Sequence, residues 1–324
     1  MERLESVGFI NPSGNTKSVG AKKQEFYNKE KETIKKSFAE LGDNIDWMEG
    51  AAKKKLETFA RKIITTTIDT VNQDDLISSL LPVENIAPGD TAVWHEISGV
   101  NVWEGTYGAA VRMTEPQFTA YTAKTNLKEV GIKMKLVEIQ TGKYSPSEMG
   151  EYTSNLITAW RNRLLFTTTL AGMTAYQSGG AQYTTGVGLT LATLLVAFET
   201  ITDEGEYDRI VLRRYALHKL ASQTGWSNET KREFETSGAV GQWMGSVVQK
   251  VNSFTDNDYG QVYPFPKTDV WIFSDLPAGK AVLAGAIRTS QETVLRNETL
   301  NLYVRWDDGF GIWKTNRIGR IVAS

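Results

Sequence analysis

The sequence predicts an α+β protein in which long helical and β segments flank a mixed region. Apolar residues three or four positions apart, the spacing of amphipathic helices, recur over residues 22–71 and 146–173. Alternation of apolar and polar residues, which is typical of strands, marks residues 91–122 and again 300–306. Residues 176–287 alternate short helical and strand-like segments. This ordering favours the α+β class.

The first 85 residues are rich in Lys and Glu and predict two helices, over residues 22–41 and from Ile45 to about Val71. Each helix has one apolar stripe with charged residues opposite. A long amphipathic helix outside a globular core must bury its stripe, and another chain is one candidate for the covering surface. We therefore interpret five stripe residues as candidate inter-subunit contacts: Phe26, Ile34, Phe38, Leu56 and Phe59.

Basic clusters are concentrated in this N-terminal segment: Lys22-Lys23, Lys35-Lys36, Lys53-Lys54-Lys55 and Arg61-Lys62. Such clusters are able to contact phosphates. Glutamates are interleaved with them, however, and this pattern favours a solvated helix face.

Residues 91–122 predict β structure dominated by a long hairpin that follows Pro88. An isolated two-stranded hairpin is marginal in water, so a hairpin of this length needs a neighbour to lie on. Trp is enriched at protein interfaces, and a monomer would leave tryptophans of the hairpin exposed. We interpret four residues here as contact candidates, with burial in the core as the open alternative for the tryptophans: Trp94, Val102, Trp103 and Tyr107.

Ser145-Pro146-Ser147-Glu148 is a capping box with Pro in the first helical position. It predicts a long helix over residues 146–173, with Trp160 on the apolar stripe and therefore in the core. The preceding segment, Lys128–Ile139, alternates and predicts a strand.

The C-terminal residues predict β structure. Apolar residues alternate with polar ones through Leu300, Leu302, Val304 and Trp306, and Trp306 is expected in the core. Asp307-Asp308-Gly309 then matches a hairpin turn, which predicts a return strand beginning at Ile312.

The composition excludes several kinds of chemistry. The 324 residues include no Cys and 2 His, which excludes disulfide scaffolds, Cys zinc sites and thiol enzymes. Lys and Arg total 36 against 38 Asp and Glu, so the net charge of −2 provides no overall basicity for nucleic acid. The most apolar stretch, Leu189–Ile201, is too short to span a bilayer, and the N-terminus lacks a signal-peptide core. We expect a protein made in the cytosol that has no membrane partner.

Near-matches to catalytic and metal motifs are all incomplete. His95 begins a zinc-protease pattern without its second His, and His218 has no identifiable partner. Gly225–Glu229 resembles a nucleophile elbow without its final Gly, and Asp256–Gly260 resembles half a calcium loop without the closing Glu. We therefore predict no enzyme activity, no catalytic residue, no metal site and no cofactor.

The order of elements resembles the major capsid protein of tailed bacterial and archaeal viruses, which has the Hong Kong 97-like fold. Two local stretches carry the resemblance. Ser237–Val248 is similar to the A-domain segment of that family, in which a Gly-rich turn leads into a strand. Leu302–Gly309 is similar to its closing strand and turn.

The resemblance implies a division into four parts. These are an N-terminal arm (1–85), an E-loop (86–115), a P-domain with a spine helix (116–175 and 288–324) and an A-domain (176–287). Some members join an E-loop Lys to an Asn of a neighbour, but Pro88–Arg112 contains no Lys, so that cross-link is unsupported here.

The family function implied is a self-assembling icosahedral shell of pentamers and hexamers around double-stranded DNA. The partners implied are further copies of the chain, DNA bound without sequence specificity, and scaffolding, portal and decoration proteins. The location implied is the virion capsid, assembled in the host cytoplasm. Two alternatives stay open: an encapsulin-like nanocompartment shell, against which the long N-terminal arm argues, and a soluble enzyme with an unrecognised site.

Overall fold

A computed structural model describes residues 19–42, 45–47, 50–73, 76–98, 115–175, 182–185, 191–202, 207–221, 242–243, 246–251, 254–256 and 260–323. The chain divides into two compact units. Unit 1 takes its described residues from Met1–Thr70, Gly131–Ser154 and Thr289–Val304, and unit 2 takes them from Val71–Val130, Asn155–Arg288 and Arg305–Ser324.

The structure contains both helices and strands, in agreement with the predicted mixed class. The helices are α1 Val19–Ala39, α2 Gly50–Gln73, α3 Leu76–Leu80, α4 Leu136–Gln140, α5 Pro146–Ala175, α6 Leu191–Thr202 and α7 Arg214–Ala221. The strands up to the start of α6 are β1 Val83–Ile86, β2 Thr91–Ser98, β3 Gln117–Lys124, β4 Asn126–Lys135 and β5 Gln182–Thr185. The later strands are β6 Tyr207–Leu212, β7 Gln242–Trp243, β8 Ser246–Lys250, β9 Phe254–Asp256, β10 Gly260–Val262, β11 Asp269–Ser274, β12 Gly279–Ala284, β13 Arg288–Val294, β14 Thr299–Ile312 and β15 Ile318–Ala323.

Unit 1 is built around the apolar stripes of α1 and α2. Phe38 from α1 and Leu56, Phe59 and Ile63 from α2 are buried together with residues of α4, β4 and β14. The stripe that was expected to need a second chain is therefore buried by this chain itself. These stripe residues are three or four positions apart within each helix, so they lie on one helix face and are buried together.

A short helix replaces the last part of the strand predicted over Lys128–Ile139. β4 ends at Lys135, and α4 follows over Leu136–Gln140. Leu136 and Ile139 are three positions apart and are both fully buried, which a helix permits and a strand does not, because a strand directs such residues to opposite faces.

The predicted long helix is confirmed as α5, which begins at Pro146 and runs two residues past the expected end. Ser145 caps it, since the Ser145 hydroxyl accepts a 3.2 Å hydrogen bond from the Glu148 amide. Further along, Gly150 allows α2 to approach closely, because a Cβ at this position would lie 2.8 Å from the carbonyl oxygen of Ile63. Thr67 fixes this contact by donating to the carbonyl oxygens of Ile63 and Gly150 at 2.9 and 3.2 Å.

Unit 2 contains a six-stranded sheet in the order β5-β15-β11-β6-β8-β7. Its central strand β11 is buried at all six positions and runs antiparallel to β15 and β6. β5 and β8 join the sheet through parallel pairings. The apolar stretch noted at Leu189–Ile201 forms most of α6, whose Leu194, Phe198 and Ile201 pack with the sheet residues in one core.

The C-terminal turn predicted at Asp307-Asp308-Gly309 is wrong. β14 runs without interruption from Thr299 to Ile312, and β12 pairs antiparallel with it across this stretch. Asp308 is fully buried and ion-paired, as described below. Gly309 is needed for close packing, because a Cβ there would lie 2.3 Å from the carbonyl oxygen of Lys124.

The two tryptophans that were expected in the core differ in their exposure. Trp306 on β14 is 6% exposed, which confirms the expectation. Trp160 on α5 is 43% exposed, so its assignment to the core is wrong. Its ring lies 5.1 Å from the guanidinium of Arg163, one turn further along the helix, which provides a cation–π contact at the surface.

Candidate subunit-contact site

The nine candidate contact residues fall into three groups. Val102, Trp103 and Tyr107 lie outside the described residues. Phe38, Leu56 and Phe59 are 2–4% exposed in the core of unit 1. The side chains that remain at least partly accessible are Phe26, Ile34 and Trp94.

Phe26 is the most accessible of the three, with 45% of its surface exposed on α1. Ile34 is half-buried against the unit 1 core. The surface that α1 offers to another molecule is therefore narrower than the sequence suggested, because most of its apolar stripe is already covered.

Trp94 lies at the base of the hairpin formed by β2 and β3. Its ring centroid is 5.1 Å from that of Trp313, which in turn stacks on Tyr121 at 5.4 Å. The Lys280 ammonium lies 5.2 Å from the Trp94 ring centroid. Trp94 Nε1 donates a 2.6 Å hydrogen bond to Glu84, and this bond holds the pKa of Glu84 below its usual value. The half-buried Trp94 thus fixes the hairpin to its own unit.

The opposite face of the hairpin is open and carries two exposed apolar side chains among polar ones. Val93 is 50% exposed and Phe118 is 64% exposed. They share a face because Val93 is directly opposite Thr122, and Phe118 is four residues before Thr122 on β3. β2 and β3 pair only with each other among the described strands, so this ribbon has one covered and one uncovered face.

Val93 and Phe118 are the surface residues that sequence reasoning missed. The alternation of strand residues was the available signal. Val93 is one position from Trp94, and Phe118 is three positions from Tyr121, so each lies on the face opposite to these aromatic residues. Aromatic side chains attract notice wherever they occur, but only the strand register shows which of them are left uncovered.

A buried glutamate joins α1 to the start of α5 within unit 1. Glu30 accepts hydrogen bonds from the Ser145 hydroxyl, from the Ser147 amide at 3.1 Å and from the Ser147 hydroxyl at 2.9 Å, and it pairs with Lys62. Burial alone would raise the pKa of Glu30, but these donors outweigh it and hold the pKa below its usual value. Glu30 thus accepts hydrogen bonds at the start of α5, whereas Glu148, the acidic residue of the capping box, has another partner.

The partner of Glu148 is instead Lys31, at 2.5 Å. One turn further along α5, Glu151 accepts hydrogen bonds from Lys23 and Tyr27. Burial and the neighbouring Glu151 raise the pKa of Tyr27, which keeps the phenol protonated as a donor. Residues of α1 thus engage the first two turns of α5 through a row of charged hydrogen bonds.

Gly225–Glu229 and residues 257–259 of the incomplete calcium loop lie outside the described residues, so the near-match motifs are followed only in the described ranges. No group of three His, Asp or Glu side chains there is placed to hold a metal ion. His95 and His218 are exposed, on β2 and α7 respectively. None of the described helices is long and apolar enough to cross a membrane.

Comparison with solved structures identifies the class of fold. A structure from Mycobacterium phage Adephagia aligns with a TM-score of 0.58 at 10% identity, over 79% of this chain and 90% of that one. The capsid of Cyanophage P-SCSP1u aligns at 0.55 and 14% identity, over 75% and 86%. A virus-like particle from Pyrococcus furiosus aligns at 0.50 and 16%, over 81% and 98%.

The chain therefore has the fold of these phage capsid structures, which confirms the predicted Hong Kong 97-like fold class, while its division into arm, E-loop, P-domain and A-domain stays a prediction. At these identities the similarity concerns the fold. No protein-family profile and no curated protein matches the sequence.

Proposed function

We propose that the chain is a major capsid protein that assembles through non-covalent contacts into a closed icosahedral shell. The observation that carries the proposal is the similarity to capsid structures over three quarters or more of both chains. The uncovered hairpin face supports it, because the exposed Val93 and Phe118 side chains are unfavourable for a monomer and useful for a lattice. Shells need heterologous contacts that close, and extended elements provide them.

The finer assignments belong to this proposal. The contents would be double-stranded DNA held without sequence recognition, and the shell would be made of pentamers and hexamers in a virion capsid assembled in the host cytoplasm. Scaffolding, portal and decoration proteins are further proposed partners. We propose the arm, E-loop, P-domain and A-domain with the boundaries that the sequence predicts.

Sedimentation velocity and electron microscopy of the purified chain test the proposal. We expect rings or closed shells whose mass is a multiple of 36.1 kDa. The proposal would be contradicted if the purified chain stayed monomeric at high concentration and also stayed monomeric when co-expressed with its genomic neighbours.

A nanocompartment shell is the second candidate, because the alignment also covers 98% of the chain of a particle that is virus-like. The two candidates differ in their contents. Nuclease-protected DNA inside purified particles would support the viral capsid, whereas a protein cargo without protected DNA would support the compartment. We propose no enzymatic role for either.

A further inference from the structure

A basic and aromatic surface lies at the start of α7 in unit 2. We call it the α7 basic patch and define it by six residues: Arg213, Arg214, Tyr215, Lys219, Tyr263 and Lys267. The backbone brings it together, because the segment after β10 passes beside the first turn of α7. Arg213 fixes this segment by donating a 3.0 Å hydrogen bond to the carbonyl oxygen of Phe265.

The cations of the patch are held in place by tyrosine rings. The ammonium groups of Lys219 and Lys267 each lie 5.0 Å from the ring centroid of Tyr215, so they are within reach of a single ligand. The guanidinium of Arg213 lies 5.2 Å from the ring of Tyr263. The two rings are 40% and 44% exposed, so they are accessible in the described structure.

Three of the four cations of the patch have no ion pair with a carboxylate among the described residues. These three are Arg213, Arg214 and Lys267. Two arginines also stand at the N-terminus of α7, and its first turn contains no acidic residue. That end of a helix carries partial positive charge and favours anions, so this placement is unfavourable until an anion binds.

Burial further disfavours the charged form of Arg213, which lowers the pKa of its guanidinium. The chain as a whole carries a net charge of −2, so the patch is a local feature that the composition does not reveal.

We propose that the α7 basic patch binds the phosphate backbone of single-stranded nucleic acid. Phosphates would contact the four cations. Bases would stack on the parts of the two tyrosine rings that the cations leave exposed, which polyglutamate has no group to do. The inference goes beyond the shell proposal, because it concerns the subunit alone and holds whether or not shells form.

Fluorescence anisotropy with the full-length subunit tests the inference. The probe is a labelled oligothymidylate of about 20 nucleotides, longer than the site of a typical single-strand-binding fold. Replacing both lysines (Lys219→Gln with Lys267→Gln) should weaken binding about tenfold at 0.1 M salt. It should also reduce the slope of log affinity against log salt by about 1.4, the value for two lost phosphate contacts to a single strand.

A matched variant removes the same charge from α2, by Lys53→Gln with Lys54→Gln, whose side chains are both exposed. Its affinity should stay within about twofold of the unmodified chain, since these lysines lie outside the patch. An equal loss in both variants would overturn the proposal, because binding would then follow net charge. Equal competition by polyglutamate of the same total charge would also overturn it and would identify an acidic protein as the ligand.

Light scattering of the same variants keeps the two proposals separate. Normal particles together with lost oligothymidylate binding would support the patch as a nucleic-acid site, independently of assembly. Unchanged oligothymidylate binding in the Lys219 and Lys267 variant would overturn the patch, whatever the state of the particles.

Discussion

Asp308 has a side chain that is fully buried within unit 2 and is held between two cations. Lys128 forms an ion pair with one carboxylate oxygen, and Arg161 Nε lies 3.4 Å from the other. The side chains of Lys128 and Arg161 are themselves only 25% and 15% exposed. Removing the charge of Asp308 would leave two largely buried cations without their anion. Loss of one partner of a buried ion pair strongly lowers stability, because the remaining charge stays buried and uncompensated.

We therefore predict that Asp308→Asn lowers the free energy of unfolding by about 3 kcal/mol. Urea denaturation of the subunit measures this change. Glu129→Gln is the control, since Glu129 and Arg305 form an ion pair whose side chains are 39% and 46% exposed. It should cost less than about 1 kcal/mol. Equal losses in the two variants would contradict the assigned role of Asp308.

Glu30 makes the attachment of α1 depend on pH. Its pKa lies below the usual value in the folded chain, so the stability that it contributes is present above its unfolded pKa. That stability is lost as the pH falls through the lower, folded pKa. We predict that acidification toward pH 3 lowers the free energy of unfolding of unit 1.

The test compares urea denaturation at pH values from about 7 to 3 in the unmodified chain and in Glu30→Gln, across the range where carboxylates titrate. The variant should be less stable at neutral pH and should lose less stability on acidification. Glu25→Gln is the control, because Glu25 belongs to an exposed pair with Lys29. If Glu30→Gln has the same pH dependence as the unmodified chain, the row of hydrogen bonds at the start of α5 does not depend on Glu30.

At the scale of elements, the hairpin of β2 and β3 has two faces with different roles. Ala92 and Ala123 are buried on one face, and Trp94 and Tyr121 contact Trp313 there. Val93 and Phe118 are uncovered on the other face. The first face fixes the hairpin to its own unit, and we infer that the second provides the contact with another copy.

We predict that Val93→Thr with Phe118→Thr prevents assembly without affecting the fold. Thr keeps a β-branched side chain suited to a strand, so the free energy of unfolding should change by less than about 0.5 kcal/mol per site. Particle yield, measured by sedimentation, should fall sharply. Trp94→Ala is the contrasting variant, and it should destabilise the subunit itself. Normal particle yield from the threonine variant would contradict the contact role of this face.

Across the whole molecule, the sequence predicted those features whose causes are local. Ser145 and Pro146 mark the start of α5 because a helix cap depends on adjacent residues. The prediction of a turn at Asp307-Asp308-Gly309 was wrong because the causes of the observed structure are not local. The residues that bury Asp308 and require Gly309 are Lys124, Lys128 and Arg161, which are distant in sequence.

The contact candidates show the same limit. Helical spacing correctly placed Phe38, Leu56 and Phe59 on apolar stripes, but spacing does not say what covers a stripe. What covers the stripe depends on β4 and α4, which are consecutive, and on β14, so it comes from two later parts of the chain. Likewise, the exposure of Phe118 follows from its strand register, which no local pattern specifies.

Assembly should leave its clearest mark on the hairpin when the whole chain is compared in two states. A two-stranded ribbon has two free edges, so about every second backbone amide in each strand has no partner within the ribbon. We predict that hydrogen exchange in Thr91–Ser98 and Gln117–Lys124 slows markedly in particles relative to free subunits. Asp269–Ser274 is the internal control, because β11 is buried at every position within the subunit and should exchange equally slowly in both states. Protection spread evenly over the chain, or absent from the hairpin, would show that the ribbon is not the contact element.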